Sequence, residues 1–282
     1  MRSMALEAWL IVSCCMPAAL ASNLSVAEAV PHLDSSGRDG YRAFLEAGTH
    51  RAFVIAPGGS WAWKADGANA PTVLKAALQA CHEQSGEICA PYATDDRIVF
   101  DTQQWPTLWG PYANSKDARN SRLGKARGER FFDLRFNSPT GKSITLSELR
   151  GRVLVLHFWA SWCQPCQLEM PQLQRLHEAL GNGPEVQLVL LQVRENISTA
   201  SKWMQRQHLS LPLHDSGMQD NNAKLLTLAN GKKIADRDLA TTFPTTYVLD
   251  KLGMVVFSHA GPLDGWPDYL PFLLDVVAKS GR

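Results

Sequence analysis

The 282-residue chain lacks any imbalance of charge: 28 lysines and arginines face 27 aspartates and glutamates. Without a net field there is no drive toward nucleic acid, which is not expected as a partner. The chain also lacks an uninterrupted apolar run of the roughly 20 residues that a membrane-spanning helix needs. The nearest approach, "MRSMALEAWLIVSCCMPAALASN" at the start, is broken by Glu7 and Pro17. Cysteine is scarce, with six in all. The CxxC of Cys163 and Cys166 has no second CxxC or HxxxH beside it in its half of the chain, where His177, His208, His214 and His259 stand apart. The paired ligand sets of a structural zinc site are therefore missing, and no metal is expected.

What the first residues do have is an arginine, a short apolar stretch and the small-x-small pattern Ala19-Leu20-Ala21, which together read as a signal peptide over 1–21. A second reading takes Ile11-Val12-Ser13-Cys14 as a lipoprotein box, with Cys14 acylated as a membrane anchor. Both imply a periplasmic or otherwise extracytoplasmic location. Cleavage after Ala21 leaves Cys81, Cys89, Cys163 and Cys166, and an oxidising compartment makes both pairs candidate disulfides.

Residues 22–112 carry helical periodicity in "YRAFLEAGTH" and "PTVLKAALQACHEQSG", with β-rich runs in "RAFVIAPGGSWAWKA" and "DDRIVF". They read as a small α+β module to which no activity attaches. Trp61, Trp63, Trp105 and Trp109 suit its packing better than an aromatic binding face. Cys81 and Cys89 close the loop "CHEQSGEIC" and are expected to form a structural disulfide. Residues 113–130 hold six basic side chains, two acidic ones and a single large aliphatic, Leu123. That composition predicts a basic flexible linker.

From 131 to 282 the texture changes. "RVLVLHFW" is almost continuously apolar, as a central strand buried on both faces should be. "CQLEMPQLQRLHEALG" has helical spacing, "VQLVLLQV" is a second buried strand, and "TASKWMQRQH" a helix. "GMQDNNAKLLTLANGKKIADRDLA" is expected as a further helical excursion. "TTYVLD" and "MVVFSHAG" suggest a hairpin, and "YLPFLLDVVAKSG" a closing helix. Strands alternating with helices, then a hairpin and a last helix, predict an α/β domain with a mixed central sheet flanked by helices.

The stretch "HFWASWCQPCQLEMP" is where the chemistry concentrates. A disulfide that closes a two-residue loop removes little unfolded-state entropy, so its value must be chemical. Cys163 falls where a buried strand gives way to a helix, and the helix N-terminus favours its thiolate. Cys166 follows one turn later on the same face, placed to resolve a mixed disulfide.

"VLHFWASWCQPCQLEMPQL", with "LSELRG" before it, resembles the thioredoxin superfamily in its TlpA/ResA-like exported thiol-disulfide oxidoreductase branch. The resemblance covers about 131–282 and implies a thioredoxin-like fold, with Cys163 attacking and Cys166 resolving. It implies an enzyme whose only redox group is the Cys163–Cys166 disulfide, without a bound cofactor. It further implies a protein-disulfide reductase with protein thiol or disulfide substrates, a membrane thiol electron donor, and service in apocytochrome c or copper-site assembly. "TTFPTTYVLD" resembles the family's cis-proline loop, with Pro244 as that proline and Phe243 before it. Both are candidate substrate-binding residues together with Trp162, beside the sulfur.

His157 lies six residues before Cys163, where small thioredoxins carry a buried carboxylate. It reads either as a proton carrier for Cys166 or as a packed histidine. Glu169, in the "EMP" triplet, is a candidate for proton transfer or a plain helix-start carboxylate. Two rivals have weaker support. A thiol peroxidase of the peroxiredoxin type would carry threonine where Ala160 stands, and a copper-binding thiol chaperone would carry CxxxC.

Overall fold

The computed structural model describes residues 24–281 apart from Asp34, Gly86, Asn182 and Asp264. The expected signal segment 1–21 and Cys14 lie outside the described residues. Among those described, no helix is long and apolar enough to cross a membrane.

The first module opens with α1, Ser35–Glu46, whose Tyr41 and Phe44 are buried, one of them a turn after the approach of Gly37 to Trp61. Strands β1 (Ala52–Ile55) and β2 (Trp61–Lys64) form a hairpin around Pro57-Gly58-Gly59-Ser60. Helix α2 (Ala70–Ser85) leads to β3 (Ala90–Thr94) and β4 (Arg97–Ile98). The four strands are ordered β2-β1-β3-β4, every pair antiparallel, which makes the module α+β as its sequence predicts. Trp105 and Trp109 are buried, while Trp61 and Trp63 pack on the core from its margin, so the tryptophans are packing groups.

The segment 113–130 differs from the flexible linker expected of it. It contains α3, Ser115–Asn120, capped by Asn114, whose side-chain oxygen accepts from the N–H groups of Lys116 and Asp117. Arg127 donates to the carbonyls of Gly110 and Leu108, and Gly128 N–H donates to Val255 at 2.8 Å. Backbone groups and one arginine make these connections, so a composition poor in apolar side chains does not register them.

The second domain runs through β5 (Leu134–Asn137), β6 (Ser143–Thr145) and β7 (Val153–Trp159), which carries buried side chains along its whole length. Each fully buried Val, Leu or Phe there contributes about 1.5–3 kcal/mol. Helix α4 (Gln164–Leu180), β8 (Val186–Gln192), α5 (Ile197–Arg206) and β9 (Leu213–His214) follow. Next come β10 (Leu225–Leu228), β11 (Lys233–Ala235) and α6 (Asp236–Leu239). The helical excursion expected here is thus a hairpin with one short helix. Its turn is Asn230-Gly231, a hairpin dipeptide that outweighs the leucine spacing. Finally β12 (Thr245–Leu249), β13 (Val255–Ala260) and α7 (Leu270–Lys279) close the domain.

The main sheet is ordered β13-β12-β7-β8-β9, with β7, β8 and β9 parallel and β12 and β13 antiparallel. A second sheet, β11-β10-β5-β6, is linked to it by a backbone bridge between Asn137, at the end of β5, and Asp215, just after β9. The two halves of the chain share one hydrophobic core. Trp109 stacks on Phe272 and His32 on Tyr269, each at 3.8 Å between ring centroids, and the Tyr269 hydroxyl donates to the Pro57 carbonyl at 2.6 Å.

Candidate active site

Strand β7 stops at Trp159, and four residues later Cys163 caps α4 in an extended conformation. Pro165 sits in the first turn, where its missing N–H costs nothing. The N–H of Cys166 donates to the Cys163 sulfur at 3.3 Å. Cys163 and Cys166 are joined as a disulfide. Cys163 is 5 % exposed and Cys166 fully buried, so a partner sulfur reaches only the first. The free N–H groups at the start of α4 favour negative charge on Cys163, the physical basis for a nucleophilic thiolate.

Across from the pair the peptide bond Phe243–Pro244 is cis. The Phe243 carbonyl oxygen lies 3.4 Å from the Cys163 sulfur, and the Pro244 carbonyl accepts from Gly261 N–H at 2.8 Å. Trp162 is 51 % exposed and meets the Phe243 ring edge-on. The structure therefore gathers Cys163, Cys166, Trp162, Phe243 and Pro244 at one end of the sheet.

His157 and Glu169 sit deeper. His157 is fully buried in β7, and its Nδ1 pairs with the Thr246 hydroxyl at 2.8 Å. Burial pushes its pKa down to about 3, so the ring is neutral at ordinary pH and resists becoming imidazolium. That environment suits a packed histidine better than a proton carrier. Glu169 is buried on the same face of α4 as Cys166, one turn further on, and accepts a hydrogen bond from the Trp266 indole N–H. Cys81 and Cys89 form a disulfide with Cα atoms 6.3 Å apart, in the other module.

Other groups at the site leave little trace in the sequence. Glu195, just beyond β8, accepts from the Ser161 N–H at 2.6 Å and from the Ser161 hydroxyl, and so ties down the loop before Cys163. Burial raises its pKa above the usual carboxylate value. Arg194 forms a two-pronged pair with the buried Asp236 at 2.6 and 3.0 Å. The guanidiniums of Arg237 and Arg194 lie 4.6 and 5.7 Å from the Phe243 ring centroid. Arg194 and Glu195 lie in the loop that leaves β8, and Asp236 and Arg237 open the short helix α6, so no local motif marks them.

Residues 128–258 match the AhpC/TSA family. The chain is 26 % identical to the thioredoxin-like protein YneN of Bacillus subtilis over 141 residues, half of this chain and 75 % of that protein. It is 27 % identical to the thiol-disulfide oxidoreductase ResA of Halalkalibacterium halodurans over 135 residues, 48 % of this chain and 68 % of that one. A secreted thiol-disulfide isomerase from Corynebacterium glutamicum superposes with a TM-score of 0.40 at 25 % identity, over 52 % of this chain and 84 % of the other. The C-terminal domain is a thioredoxin-like domain of the AhpC/TSA type, similar to the ResA thiol-disulfide oxidoreductases, and the protein is accordingly a redox enzyme.

Proposed function

We propose that the protein reduces disulfides in polypeptide substrates outside the cytoplasm. The observation that carries this is the asymmetry of the pair: Cys163 keeps a sliver of exposure, caps a helix and faces the Phe243 carbonyl, while Cys166 is fully buried behind it. The Cys163 thiolate attacks a substrate disulfide, forming a Cys163–substrate bond and releasing a substrate thiolate that takes up a proton. Cys166 then loses its proton to the Glu169 carboxylate and attacks the Cys163 sulfur. The second substrate sulfur leaves, and the Cys163–Cys166 disulfide forms. An external dithiol must restore the reduced pair, and a membrane thiol donor fits an extracytoplasmic location. Assembly of cytochrome c or of a copper site would consume such reducing equivalents, with no cofactor beyond the cysteines. A peroxidase reading finds no support at Ala160, which has no hydroxyl to offer a peroxide.

The direction of electron flow is tested by equilibrating the Cys163–Cys166 pair against thiol buffers, with Trp162 fluorescence as the readout. A potential near or below about −250 mV supports the reductase, whereas one near about −120 mV makes the protein an oxidant.

A further inference from the structure

The first module presents its β1–β2 turn beside the loop that follows β13, and that loop is bonded directly to Pro244. Between the two lies an open pocket of about 260 Å³, lined by His32, Ser36, Gly59, Ser60, His259 and Pro262 among others. We propose that this pocket extends the substrate groove, and that the first module exists in part to build it. The occupant is an extended, polar, uncharged stretch of the substrate polypeptide flanking its cysteine. The inference rests on the reading that Cys163 and Cys166 exchange disulfides with polypeptides.

Three observations carry it. The first is continuity. A chain laid beside the Phe243 carbonyl, 3.4 Å from the Cys163 sulfur, passes Pro244 and then Gly261, whose N–H holds the Pro244 carbonyl. The next residue, Pro262, already lines the pocket.

The second is chemistry. The lining combines two hydroxyls, two imidazoles and the Gln84 amide with the apolar side chains of Trp61, Pro262 and Leu263. Burial lowers the pKa of both His32 and His259 to about 4, so neither brings charge at neutral pH. Neutral donors and acceptors around a ring suit peptide backbone and small polar side chains rather than a charged ligand.

The third is rigidity. The Pro57 carbonyl accepts from Tyr269 at 2.6 Å and pairs with His32 at 2.8 Å. The Gly58 N–H donates to Glu87 at 2.8 Å, inside the loop that the Cys81–Cys89 disulfide closes. Gly59 has φ +86°, and a side chain there would meet the His32 carbonyl at 2.9 Å. Gly261, on the opposite wall, has φ +114°. Both walls turn where only glycine is at ease, and one is tied down by bonds from three elements. Such a wall binds an extended chain without first having to be ordered.

The test compares two disulfide-bonded peptides with the same central cysteines, one bare and one flanked on each side by several serine, asparagine and glycine residues. The ratio of kcat/KM for the flanked peptide to that for the bare one is measured in the parent, in Ser36→Trp and Ser60→Trp, and in Gln79→Trp on the outer face of α2. The parent ratio is expected to be at least tenfold. It should collapse toward one in Ser36→Trp and Ser60→Trp and hold in Gln79→Trp. A parent ratio near one overturns the proposal, as does a ratio that survives both blocking substitutions. Each peptide is also run as the dithiol against the oxidised protein. If the reductase reading alone is wrong, the preference persists in that direction; if the pocket is wrong, it appears in neither.

Discussion

The carbonyl oxygen of Phe243 lies 3.4 Å from the sulfur of Cys163, across the end of the sheet from a residue 80 positions earlier in the chain. Strands β7 and β12 make the approach possible, since they pair antiparallel with Phe158 opposite Thr245. A substrate sulfur reaching Cys163 therefore also meets a backbone acceptor. Cys166, fully buried, is met by neither.

This division of labour predicts an asymmetry between serine variants. Cys166→Ser should still attack and should accumulate a covalent Cys163–substrate disulfide, visible by mass spectrometry under non-reducing conditions. Cys163→Ser should give no adduct and no turnover. Equal trapping by both variants would reverse the assignment of roles.

The buried histidines predict acid sensitivity. His157 has its pKa lowered to about 3, and His32 and His214 to about 4, in each case chiefly by burial. Below the unfolded value of about 6.5 the unfolded chain takes up protons that the folded state refuses. Stability from these groups is therefore complete above about 6.5 and falls as pH drops toward the folded pKa. For His157 alone the loss between pH 7 and 5 amounts to about 2 kcal/mol. Denaturant unfolding of His157→Gln should show a smaller decline over that interval than the parent. The same variant tests the proton-carrier reading, which requires its pH profile of substrate release to change.

Much of the site was legible because its logic is local. An apolar run ending in CxxC, followed by helical spacing, places a sulfur at a helix start without any tertiary information. Glu195 and Arg194 were not legible, because their role depends on β8 lying beside β7, so that the loop after β8 meets the loop after β7. The hairpin of β10 and β11 is masked in the sequence because Leu225, Leu226 and Leu228 mimic helical spacing, although Asn230-Gly231 marks the turn. The order of 113–130 is hidden for a different reason, since it resides in backbone bonds to the β13 hairpin, the Asn114 cap and the Arg127 side chain, which composition does not record.

Glu195 offers a test of how the active-site loop is held. Replacing it with alanine leaves the Ser161 N–H and hydroxyl without their acceptor, an expected loss of about 1–3 kcal/mol. Glu195→Gln keeps an oxygen for the Ser161 N–H and should lose less. Thermal unfolding ranks the two. Because the same loop leads into Cys163, Glu195→Ala should also slow alkylation of the reduced Cys163 relative to Glu195→Gln.

The Cys81–Cys89 disulfide separates structural from catalytic sulfur. Its cysteines are 8 positions apart, and a loop of that size contributes about 2.5 kcal/mol by constraining the unfolded chain. The double variant Cys81→Ala, Cys89→Ala should therefore lose about that much in denaturant unfolding. Its turnover of a small disulfide should persist, because Cys163 and Cys166 lie in the other domain and form their own pair. The consequence for a longer substrate differs. Glu87 sits inside the stapled loop and holds the Gly58 N–H, so releasing the staple loosens the turn that walls the proposed groove. The double variant should thus weaken the preference for flanked over bare peptides while leaving the potential of the catalytic pair where it was. A change in that potential would mean instead that the two disulfides exchange electrons.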